Sequence, residues 1–462
     1  MKKKVIVCIL AIVMMIALPA CSSPPANEPA AEPSTGTDTT SPAPAGPADL
    51  VADITMWTYP RLEDEEDFWN DEVVAMFNQT YPNISVSVTV IPWDGGPEKV
   101  NTAIASGNAP DILFDSDMRG NGYASRGVLV PLNDVLSSFT GIYEDFWMDK
   151  IKIGDDRYMA PIYTAGGPSL LVNVALAEQY GIADMLPEDH MSWTLDEFYD
   201  FVKAATDAGK SSGVYGITMF AGSQSSDSNT MGWLMGSGTT VLNSDTTAIT
   251  LNTAGAAQTL DFMGKLVKDG LAIPGAASLI DDETIELFLG GKAVTSQYGD
   301  LWMVNMAYDR KESGEITGPM DAQFYLFPTL SGKPGNNISY GATGLMIFDN
   351  NDADKIAAAK EFISFYMNSE QESTFVENAG QMACRSGVVL FSSRPDVSRE
   401  VERMGTFSPY QMGNWGNQLG YWSEIRAVFY PEIQAVYASQ KDGQAALDSF
   451  AANADKIIAE NQ

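Results

Sequence analysis

The pattern of apolar and polar positions alternates between two periods along most of the chain. Asp53-Ile54-Thr55-Met56-Trp57 reads as a strand. Trp69, Val73, Met76, Phe77 and Thr80 then recur at helical spacing, and Pro82 closes that helix. Val86, Val88 and Val90 alternate with Ser87 and Thr89, the period-two pattern of a half-buried strand. A helical run from Glu98 to Ala105 stops at Gly107, and Asp111-Ile112-Leu113-Phe114 is a further short strand. Strands alternating with helices predict an α/β fold in which a largely parallel sheet carries helices on its faces.

The pattern continues downstream. Thr194-Leu195-Asp196-Glu197 predicts a capping box, in which the Thr hydroxyl and the Glu carboxylate satisfy orphan amides. Behind it Leu195, Phe198, Tyr199 and Val202 form one apolar face. Ala256, Leu260, Met263 and Val267 predict a helix ending at Gly270, and Ala359, Phe362, Ile363 and Tyr366 another. Ser369 is expected to cap the helix after that, and the acidic stretches Glu63–Asp67 and Asp349–Asp354 read as helix beginnings. No tandem repeat is present.

Length and charge narrow the picture. A chain of 462 residues is too long for one ordinary core and implies two or three domains. Sixty acidic residues against 27 basic ones argue against a nucleic-acid partner, which needs a basic footprint. The first residues set the compartment. Lys2, Lys3 and Lys4 precede an uncharged stretch from Val5 to Ala20, the layout of an export signal. Leu18-Pro19-Ala20-Cys21 resembles a lipobox, which implies cleavage before Cys21 and a lipid on that cysteine. Ser22 to Ala48 is rich in Pro, Ala, Ser and Thr and too poor in apolar side chains to fold, so it reads as a flexible tether. Of three cysteines only Cys384 remains for the folded part, so no intramolecular disulfide is expected. A disulfide-free exported protein fits the outer face of a Gram-positive cell membrane.

Six segments, in order, carry a family resemblance: Gly107-Asn108-Ala109-Pro110-Asp111-Ile112; Gly127 to Leu132; Tyr158-Met159-Ala160-Pro161 followed by Leu170 to Asn173; Trp193 to Phe198; Phe288 to Ala293; and Gly341 to Ile347 with Ala357 to Tyr366. Together the chain resembles extracellular solute-binding protein family 1, the maltose-binding-protein-like receptors of carbohydrate ABC importers. The resemblance implies a two-lobed periplasmic-binding-protein-like α/β fold of the class II type, with three hinge crossings and a ligand cleft between the lobes. Residues 1–20 are then a signal peptide and 21–49 a lipid-anchored linker. One lobe spans 50–163 plus 325–384, the other 166–322 plus 387–462, with crossings near Ile162–Gly166, Ala322–Phe327 and Cys384–Val388. Ala383-Cys384-Arg385 departs from the family, which often has Pro before the Arg.

A sugar offers hydroxyls for charged and amide side chains and flat C–H faces for aromatic rings. Tyr59 and Arg61 fall in a loop where the family places polar contacts. Asp115 stands where the family has an aromatic platform, and Arg119 matches a family Arg. Tyr163 sits at the first crossing, and Trp233 lies in a Gly-rich stretch that fits a core position equally well. Asp300 and Trp302 resemble a cleft loop, and Tyr340 precedes a late strand. Trp415, Tyr421 and Trp422 form the richest aromatic segment, with Trp422 matching a family stacking residue. The implied function is capture of a mono- or oligosaccharide by a monomeric receptor and its delivery to a membrane permease. Alternatives are a polyamine or other non-sugar solute on the same fold, or service to a sensor kinase. No zinc-protease helix, nucleophile elbow or phosphate loop is present, so neither an enzyme nor a cofactor or metal is expected. The single histidine, His190, lies in a polar loop and is expected to be exposed.

Overall fold

The computed structural model describes residues 50–461, apart from positions 63, 94, 144, 166–168, 336–340, 408–415, 417, 418 and 420. The expected export signal, Cys21 and the tether lie outside the described residues. The described residues fall within one compact unit, Ala45–Gln462.

Among the described residues twelve strands form three sheets: β1 (Ala52–Thr58), β2 (Ile84–Val90), β3 (Ile112–Ser116), β4 (Lys152–Ile153), β5 (Asp156–Arg157), β6 (Ala160–Ala165), β7 (Leu170–Asn173), β8 (Tyr215–Thr218), β9 (Ala293–Ser296), β10 (Ala322–Tyr325), β11 (Gly341–Ile347) and β12 (Met382–Ala383). The large sheet has the order β12-β6-β11-β3-β1-β2, the second β10-β7-β9-β8, and β4 and β5 make a small hairpin. β1, β2 and β3 run parallel, while β11 runs antiparallel to both β3 and β6. In the second sheet β8 and β9 are parallel, and β7 runs antiparallel to β9 and β10.

Each sheet has its own apolar core. Around the first pack Trp69, Phe77, Phe114, Phe362, Tyr366 and Phe375. Around the second pack Trp193, Phe198, Trp233, Phe327, Phe429 and Phe450. The first cluster also takes in Leu301, Val304 and Phe324 from the second sheet's side, so the two halves share packed surface near the crossings.

Most expected elements are present. The first helix begins at Glu65 and includes a π-helical segment, Phe68–Val74. Thr194 Oγ1 accepts from Glu197 N at 3.1 Å, and Thr194 N donates to Glu197 Oε2 at 2.7 Å, completing the capping box. Asp352 caps the helix Ala353–Asn368. Ser369 does not cap its helix: its hydroxyl donates back to Tyr366 O at 2.8 Å.

The chain leaves the first sheet after Ala165 and enters the second at Leu170. It returns between Tyr325 and Gly341, because residues 322–325 are still hydrogen-bonded into the second sheet as β10. That passage begins within the stretch 322–327 singled out from sequence, of which 322–325 are strand. Cys384 still belongs to the first core, and the helix Pro395–Phe407 packs against β10 and the helix Leu301–Glu312.

Candidate functional site

Parallel strands end together. The carboxyl ends of β1, β2 and β3 meet the start of β11 and the end of β6 along one edge of the first sheet, the edge from which the chain departs. Backbone ladders stop there, and ligands in open α/β sheets bind at such edges. The residues that follow the strands form one cluster.

Tyr59 leaves β1 fully buried, and its ring stacks on Trp93, which follows β2, with centroids 4.4 Å apart and planes 12° from parallel. Trp93 Nε1 donates to Pro60 O at 3.1 Å. The Arg61 guanidinium lies 4.5 Å from the Phe114 centroid and 5.2 Å from that of Trp93. It donates to Tyr163 Oη at 2.6 Å, Tyr59 O at 3.0 Å and Phe114 O at 3.2 Å, with the buried Glu65 carboxylate 4.0 Å away. Arg119 makes a two-pronged ion pair with the buried Asp115, its Nε donating to Oδ2 at 2.7 Å and its Nη2 to Oδ1. The Arg119 guanidinium is 5.3 Å from the Tyr59 centroid. Burial opposes the Arg119 charge, but the Asp115 carboxylate outweighs it and holds the proton more firmly than usual. Burial, and then the Asp115 charge, push the Tyr59 hydroxyl well above its ordinary range. Among the described residues the buried hydroxyls of Tyr59, Ser116 and Tyr123 have no hydrogen-bond partner. Each is a donor and acceptor in reserve at this edge.

The second sheet presents the carboxyl ends of β8, β9 and β10 with the start of β7, again at the edge where the chain crosses. After β8 the helix Ser226–Met235 begins, and its buried Asp227 takes a fork from Arg426 at 2.7 and 2.8 Å. Arg426 comes from the helix Trp422–Ala427, which contacts the helix Asp117–Ser125 of the first sheet. Met118 completes that contact by packing on the second core. The two edges therefore face each other, with a buried ion pair on each side.

Of the residues singled out from sequence, Tyr59, Arg61, Asp115, Arg119 and Tyr163 come together. Asp300 and Trp302 lie instead at the passage between the sheets. Asp300 caps the helix Leu301–Glu312 and accepts from Gln381 Nε2 at 3.4 Å, and Gly380 packs directly on Trp302 and Asn305. Trp233 is wholly buried in the second core, stacked on Phe327 with centroids 5.0 Å apart. Trp422 is also buried there, with the backbone of Gly416 against its indole, and Tyr421 packs partly buried on the same core. Tyr340 and Trp415 lie outside the described residues. His190 is not exposed as expected: it is half-buried on the Tyr325 ring, with Arg403 Nη1 2.9 Å from its Nδ1. Burial, then the Arg403 charge, lower its pKa to about 4. Sequence reading missed Trp93, although Pro92-Trp93 directly follows a predicted strand, and it missed the Asp227–Arg426 pair, whose partners are far apart in the chain. Two surface concavities lie away from the cluster. One is beneath Tyr308 and Asp396; the other, of about 250 Å³, is lined by Asn133, Phe139, Tyr143 and Arg157. Cys384 is a buried thiol. Among the described residues no group of three or more His, Cys, Asp or Glu is placed to hold a metal ion, and no helix is long and apolar enough to cross a membrane.

The sequence model of the bacterial extracellular solute-binding proteins matches residues 60–373, over half of the chain. The chain belongs to this family. Its fold is that of two-lobed, maltose-binding-protein-like receptors. An ABC transporter solute-binding protein of Thermotoga lettingae, bound with α-D-tagatose, superposes with a TM-score of 0.74 at 21% identity, covering 88% of this chain and 100% of that one. Maltose-bound MalE3 of T. maritima gives 0.72 at 20% identity, covering 88% and 100%. An ABC substrate-binding protein of Listeria monocytogenes in complex with cycloalternan gives 0.72 at 20% identity, covering 88% and 99%.

In this solute-binding protein the Asp300 carboxylate has a testable signature. Burial raises its pKa from 3.8 to about 7, against the opposing bonds from Trp302 N and Gln381. The folded state therefore holds a proton that the unfolded chain releases between about pH 4 and 7. Stability attributable to this group is highest below that window and falls as pH rises through it. Asp300→Asn keeps the cap and removes the charge. Chemical denaturation is expected to show the variant more stable than wild type at pH 8 and equal to it at pH 4.

Proposed function

We propose that this protein is the solute-capturing receptor of a carbohydrate ABC importer. It takes a mono- or oligosaccharide between two lobes, closes over it, and delivers it to a membrane permease. The lobes are built on the two sheets, and the hinge lies in the connections between them, including Ser169, residues 326–335 and residues 384–394. The observation that carries this reading is the pairing of a flat aromatic stack, Tyr59 on Trp93, with the Asp115-locked Arg119 fork at the carboxyl ends of β1, β2 and β3. Rings suit the C–H faces of a sugar, and the remaining N–H donors of a guanidinium fixed by Asp115 suit its hydroxyls. Saccharides in the two receptors bound with maltose and cycloalternan, and a sugar in the third, support the class. The role is binding and release with no catalytic step, consistent with a family of solute-binding proteins.

The rival solute on this fold, a polyamine, needs free carboxylates. Asp115 and Asp227 are each already closed by an arginine fork, which favours the sugar. Ligand acts by binding the closed arrangement more tightly than the open one. Thermal denaturation against mono- and oligosaccharides, with spermidine and peptides as controls, tests the reading. A ligand at about 100 times its Kd adds roughly 2.7 kcal/mol, so one saccharide class is expected to raise the melting point by several degrees. A shift with spermidine alone would overturn the carbohydrate assignment.

The same reading places the receptor on the outer face of the cell membrane, held by a lipid on Cys21 and a tether of residues 22–49. Cys21→Ser is expected to move the protein from the membrane fraction into the medium. Unchanged membrane retention in a fractionation assay would count against the anchor.

A further inference from the structure

We propose that the outward face of Trp93 is a stacking platform for one neutral pyranose ring and helps set which saccharides are accepted. This rests on the carbohydrate reading above and adds a residue and a charge class to it. Exposed large apolar side chains are few among the described residues, and of these Trp93, at 49%, is the aromatic one. An aromatic plane left in water at a ligand edge, instead of being packed away, is a candidate contact.

Three features make it a platform and not a loose side chain. Its inner face is taken by Tyr59, stacked at 4.4 Å. Its Nε1 is tied to Pro60 O at 3.1 Å. Tyr59 is held in turn by Gly96, where any Cβ would come within 2.7 Å of Tyr59 Cε1. A ring held in this way loses little freedom when a ligand covers its open side. The other aromatics proposed from sequence that the structure describes at these edges offer no comparable plane: Tyr59, Tyr163, Trp233 and Trp422 are all buried.

The neighbouring charges select the ligand's charge. Arg61 and Arg119 lie beside the stack, with guanidinium carbons 5.2 and 6.0 Å from the Trp93 centroid. Each faces its own buried carboxylate, Glu65 and Asp115. The wall therefore carries no net charge from these two pairs and favours neither an anion nor a polycation. A neutral ring with a C–H face for the indole, and hydroxyls for the Arg119 N–H groups that Asp115 does not take, fits such a wall.

Calorimetric titration of the purified protein with glucose, galactose, maltose, cellobiose, xylobiose, maltotriose and glucuronate tests this, on wild type, Trp93→Ala and Trp93→Phe. Half-exposure of Trp93 favours a folded Ala variant, checked by circular dichroism, and the Phe variant keeps a ring in place. The expected result is a neutral saccharide bound by wild type, weakened about 10- to 100-fold in Trp93→Ala and within about 3-fold in Trp93→Phe. Equal affinity in wild type and Trp93→Ala would overturn the platform and leave the carbohydrate reading standing. Preference for glucuronate would overturn the neutral class. A wild type that binds none of the sugars would overturn the carbohydrate reading and the platform with it.

Discussion

Two guanidinium groups are held against aromatic rings at the edge of the first sheet, and a buried cation is tolerable only with a carboxylate and well-aimed hydrogen bonds around it. The arrangement of this edge follows from that requirement. Glu65 must reach back from the first helix toward Arg61 while also accepting from Thr58 Oγ1, at 2.5 Å, and Trp69 Nε1, at 3.2 Å. Asp115 must end β3 pointing at Arg119. Tyr163 must bring the end of β6 to Arg61. The carboxylates that secure the cations thus lock together the loops after β1 and β3 and the strand that departs for the second sheet. What remains free is a preorganised surface, with an indole face, part of a guanidinium fork and several hydroxyls, at the place where the two sheets turn toward each other.

The second sheet repeats the solution with different residues. Asp227 is buried at the start of its helix and closed by Arg426 from a segment about two hundred residues later. Pairs of this kind fix the geometry of each wall independently of any ligand. Between the two sheets lies the passage that carries Asp300 and Trp302. There the contacts are of another sort: the Asp300–Gln381 bond, whose carboxylate titrates near neutrality, and the close approach of Gly380 to Trp302.

Local pattern made most of the fold readable. The alternation in Val86 to Val90, the helical faces and the Thr194 capping box depend on neighbours in sequence, and all are present. Longer-range competition decided the exceptions. Residues 322–325 read as a crossing but are captured by β7, and Ser369 turns its hydroxyl to Tyr366 instead of to its own helix. Strand ends and the family resemblance together singled out Tyr59, Arg61, Asp115, Arg119 and Tyr163, which the fold brings into one cluster. They could not tell an aromatic that faces the cleft from one that fills the core behind it, because both lie near strand ends in Gly-rich surroundings. Trp233 and Trp422 lie in the core, whereas Trp93, next to Pro92, is exposed. The Asp227–Arg426 pair joins residues that no local pattern connects.

Closure of the two lobes on a saccharide is the central claim, and small-angle X-ray scattering of the protein tests it most directly. With the saccharide that raises the melting point present at saturation, the radius of gyration is expected to fall below that of the ligand-free protein. An unchanged radius of gyration, with binding shown in the same sample, would contradict capture by closure.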